Sequence, residues 1–246
     1  MQDQSTTYRI LNPQGLYEEL DTERFIIWQT NEYMKKLGSE KFSSYIFGYF
    51  QTSGNESMAN IANELKLWDF KSPLCISIIS KQNGIGKTGL AVCLYRKFIY
   101  NFFKQHVDNN VKCYYRELRE MYEHYELRLP THAEFISAKK LDLEIRMSYN
   151  SKYGRNEQEI LDYYSRKQFL VIDDIFSSSD TDFSRRNLLY ILDERLEFNC
   201  LPTVITSNYD FESLKKIDTR ISSRMNISNG FFEIVSKQED LRAISN

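Results

Sequence analysis

Residues 80–91 read SKQNGIGKTGLA, a glycine-rich turn that ends in a Lys-Thr pair. Before it, LCISIIS (74–80) is an almost unbroken apolar run, the pattern of a strand buried on both faces. After it, TGLAVCLYRKFIYNFF (88–103) has the apolar spacing of a helix. Strand, glycine turn and helix in that order form the setting in which G-x-x-x-x-G-K-[ST] holds phosphate. Backbone N–H groups of the turn and helix start point at phosphate oxygens, the lysine reaches the β- and γ-phosphates, and the hydroxyl beside it ligates Mg²⁺. Asn83, Gly84, Ile85, Gly86, Lys87, Thr88 and Gly89 are the candidate cradle for a nucleotide. Lys81 stands where the motif asks for its first glycine. A side chain is acceptable there if φ is negative, because only positive φ penalises a residue with a Cβ. The expectation is an altered opening on an intact cradle.

Outward from the loop, strand and helix patterns alternate. AEFISA (133–138), FLVIDDIF (169–176) and PTVITSN (202–208) read as strands; KKLDLEIRMSY (139–149), EQEILDYYSR (157–166) and RRNLLYILDERLEFN (185–199) read as helices. This alternation predicts an α/β fold with a parallel sheet covered on both faces. The turn-rich QTSGNESMAN (51–60) precedes a helix through ANELKLWDF (62–70), and the main domain is placed at 45–246. Residues 1–44 are expected to form a helical extension that docks a partner. In it, Asp21 caps a helix through ERFIIWQTNEYMKKL, with Ile27, Thr30, Met34 and Leu37 on one face and Gly38 as the stop. The alternative is that this stripe packs on its own domain. Seven acids against four bases in residues 1–40 make the segment a poor grip on nucleic acid. Residues 104–132 exceed an ordinary connection and contain the helix-prone CYYRELREMYEHYEL, which predicts an inserted helix.

A phosphate loop alone leaves the chemistry open. FLVIDDIF adds Asp173 and Asp174 at the tip of an apolar strand, Asp173 suited to hold the metal and Asp174 to orient or deprotonate an attacking water. PTVITSN ends in Thr206, Ser207 and Asn208, which emerge beside the first two elements if the three strands are neighbours. Asn208 is then a candidate donor to the γ-phosphate or the water. DTRISSRM sets Arg220 and Arg224 on one helical face, suited either to a solvated or salt-bridged pair or to an arginine finger that completes a neighbouring subunit's site.

Composition narrows the classes. At 246 residues, with 41% hydrophobic content and a net charge of −2, the chain can bury a sizeable core and has no global basic field for nucleic acid. Basic pairs such as Lys139–Lys140, Arg185–Arg186 and Lys215–Lys216 leave room only for weak, salt-sensitive contact with single-stranded DNA, summed over an assembly. Cys75, Cys93, Cys113 and Cys200 occur singly among apolar or aromatic neighbours and are expected to be buried thiols in a reducing compartment. The N-terminal MQDQSTTYRI lacks the features of a signal peptide, and no apolar run reaches a membrane span, so a cytoplasmic location is expected, without membrane partners.

The series SKQNGIGKTGLA, FLVIDDIF, LLYILDERLEFNCLPTVITSN and DTRISSRM resembles the AAA+ ATPase domain of DnaC/DnaI-type replicative helicase loaders and their IstB-type transposition relatives. The resemblance covers roughly residues 45–235, and its most telling part is Asp-Asp combined with the LDER…LPTVITSN run. It implies a P-loop three-layer αβα core without a C-terminal lid, with ATP and Mg²⁺ as cofactors. Lys87 and Thr88 then form Walker A, Asp173 and Asp174 Walker B, Asn208 sensor 1, and Arg224 the finger with Arg220 beside it. Thr88 and Asp173 are the implied metal ligands; Asp174, Asn208 and Arg224 are the implied catalytic residues. The implied function is ATP-dependent placement of a DnaB-type hexameric helicase on single-stranded DNA, with self-association through the ATP sites and slow hydrolysis without a partner. An IstB-like transposition ATPase and a nucleotide-insensitive adaptor or inhibitor of a helicase are the alternatives. A P-loop kinase predicts an arginine-rich lid and an acceptor pocket that the sequence does not offer.

Overall fold

The computed structural model describes residues 7–11, 17–36, 45–51, 56–109, 132–149, 154–177, 181–227 and 230–234. These residues fall into two compact units, one built from Met1–Ser44 with Arg96–Pro130 and the other from Tyr45–Tyr95 with Thr131–Asn246.

In the first unit, strands β1 (Thr7–Leu11) and β2 (Tyr17–Asp21) form an antiparallel pair in which Thr7 faces Asp21 and Leu11 faces Tyr17. Helix α1 (Thr22–Lys36) follows without a break. Asp21 accepts from the Arg24 amide at 2.8 Å, capping the helix as its short acidic side chain suits. The buried stripe is Phe25, Ile26, Gln29, Thr30 and Met34; Ile27, expected on that stripe, is 43% exposed. Thr30 and Met34 do lie on it, so the stripe is rotated by about one residue from its expected position. Leu37 and Gly38 lie outside the described residues, as does the segment 110–131 with Cys113 and the expected inserted helix. The strand pair is an element beyond the helix expected in this region.

The second unit is built on a five-stranded sheet with every pairing parallel, in the order β4 (Ala133–Ser137), β5 (Phe169–Ile175), β6 (Thr203–Ser207), β3 (Cys75–Ile79) and β7 (Phe231–Glu233). Strands β3 and β6 are buried at every position, which requires cover on both faces and explains their unbroken apolar and small-residue sequence. Helix α2 (Phe47–Gln51) and helix α3 (Glu56–Leu67) precede β3, and α4 (Lys87–Asn109) follows it. Helices α5 (Ala138–Ser148) and α6 (Glu157–Ser165) link β4 to β5. Ser137 caps the first, and Asn156 with Glu159 forms a reciprocal capping box on the second. Helix α7 (Asp182–Asp193) continues as a π-turn, Glu194–Phe198, before β6. Helices α8 (Phe211–Ile217) and α9 (Thr219–Met225) lead to β7. The core joins β5 (Leu170, Ile172, Ile175) to α5 (Leu141, Ile145), α6 (Ile160, Leu161) and α7 (Leu188, Ile191, Leu192). Full burial of such side chains is worth about 1.5–3 kcal/mol each, so this cluster contributes substantially to the unit's cohesion.

Arg195 lies in the π-turn, three, four and seven residues beyond Leu192, Ile191 and Leu188; it continues their buried stripe and is itself fully buried. Its Nε donates to Thr203 Oγ1 at 2.8 Å, Nη1 to the carbonyls of Tyr164, Ser165 and Lys167 at 3.0, 3.2 and 2.6 Å, and Nη2 to the Pro202 carbonyl at 2.8 Å. Burial pulls its guanidinium down to about 9, which still leaves it charged at neutral pH. One side chain thus ties the end of α6 to the approaches of β5 and β6. Among the cysteines, Cys75 and Cys93 are buried as expected, and burial pushes the Cys75 thiol up to about 11. Cys200 corrects the expectation: it is exposed, on a turn with φ of 51° between the π-turn and β6.

Candidate nucleotide site

Strand β6 lies between β3 and β5, so the three motif-bearing strands are neighbours, all parallel and all ending on the same edge. At the end of β3 the chain turns through residues 81–86 into α4. Gly84 and Gly86 have φ of 75° and 103°, conformations in which a Cβ is strained, so the turn requires glycine at both. Lys81 is not among the residues with positive φ, which is the condition under which a side chain fits there. Ile85 is buried and anchors the turn, and the Leu90 amide donates to the Gly86 carbonyl at 2.9 Å to start the helix. The leading amides of α4 have no intrahelical acceptor and carry the positive end of the helix dipole, the ordinary basis of anion binding. Asn83 is exposed at the tip. Gly89 has no space for a Cβ, which would stand 2.8 Å from Phe50 and 2.9 Å from Tyr45.

Lys87 is buried, and its Nζ donates to the Gln82 carbonyl at 2.7 Å and the Ser80 carbonyl at 3.3 Å. Thr88 Oγ1 donates to both carboxylate oxygens of Asp173, at 3.0 and 3.1 Å. Thr206 Oγ1 donates to Asp173 Oδ1 at 2.6 Å and accepts from the Asp174 amide at 2.8 Å. Asn208 Nδ2 donates to Asp174 Oδ1. The register between β5 and β6 shifts between Ile172 and Ile175, a bulge that takes both acids out of the β5–β6 ladder, while Asp173 still pairs with Ser137 of β4, and Asp174 has φ of 60°. Thr206 replaces the missing ladder partner with its hydroxyl. Burial raises the Asp173 carboxyl above its usual range, opposed by the hydrogen bonds from Thr206 and Thr88. A cation beside it reverses that shift.

The geometry therefore gathers Lys87, Thr88, Asp173, Asp174 and Asn208 around one strand edge, as the motif spacing predicted. Thr206, which the sequence offered only as a polar strand end, is the bridge between the two acids. Arg224 is not in this cluster. It is held in its own chain by the carboxylates of Asp193 and Glu197, the latter at 2.9 Å, and its side chain is 23% exposed. Arg220 pairs with Asp218 at 3.1 Å and is 65% exposed. Lys81 forms an ion pair with Asp210 at 2.6 Å.

The residues present fit a magnesium nucleotide. Mg²⁺ takes hard oxygen ligands, one or two from protein and the rest from phosphate and water, and Thr88 with Asp173 supplies such a pair. Among the described residues there is no group of three or more His, Cys, Asp or Glu side chains fit to hold a metal without phosphate. No helix among them is long and apolar enough to cross a membrane.

No protein-family model matches the chain, and no curated protein matches it. Solved structures do. A DnaC helicase loader structure superposes with a TM-score of 0.54 at 18% identity, covering 80% of this chain and 100% of that one. A DnaI structure gives 0.52 at 16% identity, covering 80% and 94%. AMPPCP-bound DnaA from Aquifex aeolicus gives 0.53 at 15% identity, covering 80% of this chain and 52% of that one, so the chain spans about half the length of the DnaA it matches. The chain shares the fold of these structures, a parallel sheet covered by helices with a glycine turn leading from β3 into α4.

Proposed function

We propose that this chain is an ATP-dependent switch of the helicase-loader type, which binds a DnaB-type replicative helicase and promotes its placement on single-stranded DNA. The observation that carries the nucleotide part is the Thr88–Asp173–Thr206 and Asp174–Asn208 network at the edge of three adjacent parallel strands, beside a glycine loop with two positive-φ glycines. The loader part is supported by the match to a DnaC helicase loader structure, which covers 80% of this chain and the whole of that one, whereas the DnaA structure is matched over about half its length.

In this reading the amides of residues 84–88 hold the phosphates of ATP. Lys87 exchanges its two carbonyl acceptors for phosphate oxygens. Thr88 and Asp173 would hold Mg²⁺, which would supply neutralisation of phosphate charge. Asp174, oriented by Asn208 and by the Thr206 hydroxyl on its amide, positions a water in line with the γ-phosphate and accepts its proton. Arg224 reaches a neighbouring subunit's site only by leaving Asp193 and Glu197, so hydrolysis is slow in the isolated chain and rises on assembly.

The test measures Mg²⁺-dependent ATP binding and hydrolysis, and capture of a DnaB-type helicase with and without ATP. Lys87→Ala is expected to lose nucleotide binding and ATP-dependent capture. Arg224→Ala is expected to keep binding and lose nucleotide-dependent self-assembly. Absence of nucleotide binding in the parent protein overturns the reading, and helicase capture unchanged in Lys87→Ala makes the chain a nucleotide-insensitive adaptor.

A further inference from the structure

Lys81 occupies a position where the phosphate-loop motif has no side chain at all, and it uses that side chain to make a long-range contact. Its ammonium lies 2.6 Å from Asp210 Oδ2. Asp210 is fixed: it caps α8 by accepting from the Ser213 amide at 3.0 Å, and it stands two residues beyond Asn208. On the other side, the two residues flanking Lys81 are those whose carbonyls, Ser80 and Gln82, hold Lys87. The strands are already joined nearby by the Ser80 amide, which donates to the Ser207 carbonyl at 3.1 Å. The ion pair adds a second tie, placed beyond the ladder where the loops would otherwise part.

We propose that Lys81 is a positioning residue which, through Asp210, holds the backbone under Lys87 in register with the loop that carries Asn208. The proposal rests on the nucleotide reading above for its catalytic consequence, but the clamp itself is a property of the ligand-free chain. A glycine loop opening is flexible, and the lysine replaces that freedom with a fixed distance between the phosphate-holding and water-orienting halves of the site. The competing assignment is that Lys81 is an additional cation for phosphate, merely parked on Asp210.

The two assignments predict different patterns. Lys81→Gly and Asp210→Asn are made singly and together in the full chain, with Lys81→Arg as the conservative variant; Asn keeps the helix cap. A clamp made by a largely exposed ion pair is worth a factor of about two to five. Each single variant is therefore expected to lower kcat by about that factor, with the affinity for a fluorescent ADP analogue within twofold of the parent. The double variant is expected to be no worse than either, and Lys81→Arg to stay near the parent. Opposite effects on ADP affinity, weaker in Lys81→Gly and tighter in Asp210→Asn, overturn the clamp in favour of a phosphate-facing cation, as do additive losses of kcat. Amide hydrogen exchange of the nucleotide-free protein separates this from failure of the nucleotide reading. The clamp requires residues 81–88 and 208–210 to exchange faster in both single variants by similar factors, whether or not the protein hydrolyses ATP; unchanged exchange in both segments refutes it.

Discussion

Replacing Thr206 by Val is the sharpest probe of the acid pair. The substitution keeps the branched shape at a fully buried strand position but removes one hydroxyl that makes two contacts: donor to Asp173 Oδ1 at 2.6 Å and acceptor for the Asp174 amide at 2.8 Å. A hydrogen bond to a charged group contributes about 1.5–3 kcal/mol, and an amide left buried without an acceptor costs about 1–3 kcal/mol. Asp173 keeps its bonds from Thr88, and both acids are only half-buried, so water recovers part of the loss. The expected net cost is about 3 kcal/mol, or roughly 6–12 °C in Tm for a chain of this size. Thr206→Ser keeps both contacts and loses only a methyl, costing about 1 kcal/mol. The pH dependence follows from the direction of the Asp173 shift. A carboxyl raised above its ordinary value gives stability that is present at low pH and lost as pH rises through its folded value. Removing the Thr206 donor raises Asp173 further, so the gap between the parent and the Val variant widens from acid to neutral pH. Denaturant and thermal unfolding at pH 4 to 7, with Mg²⁺-ATP turnover at neutral pH, measure this. A Val variant as stable as the Ser variant, with parental turnover, refutes the bridging role.

Arg195→Lys is expected to cost about 3–5 kcal/mol, roughly 6–20 °C in Tm, because an ammonium cannot span acceptors contributed by Tyr164, Lys167, Pro202 and Thr203 at once; thermal unfolding checks it, and a shift under about 2 °C contradicts it. Asp210 behaves oppositely to Asp173. The hydrogen bonds from Lys81 and Ser213 hold its carboxyl down to about 2, so its contribution is present above pH 4 and lost as pH falls toward 2. Acid unfolding curves of the parent and Asp210→Asn are therefore expected to differ at pH 5 and to converge by pH 2.

The parts of the fold legible in the sequence are those where one local pattern has one physical solution. A run such as CISII is buried on both faces wherever it is a strand, and the glycines of NGIGKT are needed because the turn passes through positive φ at Gly84 and Gly86. The candidate site inherits that legibility, since its residues sit at fixed offsets from the ends of three recognisable strands. Thr88, Asp173 and Asn208 come together because parallel strands in the order β5-β6-β3 end on one edge. The bulge at Asp173–Asp174 places an extra β5 residue against Thr206, with Asp174 at a positive φ that Asp tolerates; an Asp pair at a strand tip also fits an unbulged strand end, so FLVIDDIF alone does not single it out. The strand β7 is three residues long, too short for a period to be read. Ile27 leaves the stripe because Phe25, Ile26 and Ile27 are three adjacent apolar residues, and a helix can bury only two of them on one stripe.

The two arginines of the distal half show the limit most clearly. In LDERLEF, Arg195 carries a charge at a position three and four residues beyond Leu192 and Ile191, and it is the largest fully buried side chain among the described residues; in DTRISSRM, the spacing of Arg220 and Arg224 leaves a salt-bridged pair and a projecting finger both open, and Arg224 is held by two carboxylates. Asp193 ends α7 and Glu197 lies one turn on, on the exposed side of the π-turn, while Arg195 between them continues the buried stripe and faces the carbonyls at the base of the sheet. Those two acids are the groups that hold Arg224. The carboxylates from which a finger must be released therefore sit at the end of α7 and on the turn that follows it, which couples any assembly-dependent use of Arg224 to the helix that leads from the acid pair of β5 to the Asn208 strand.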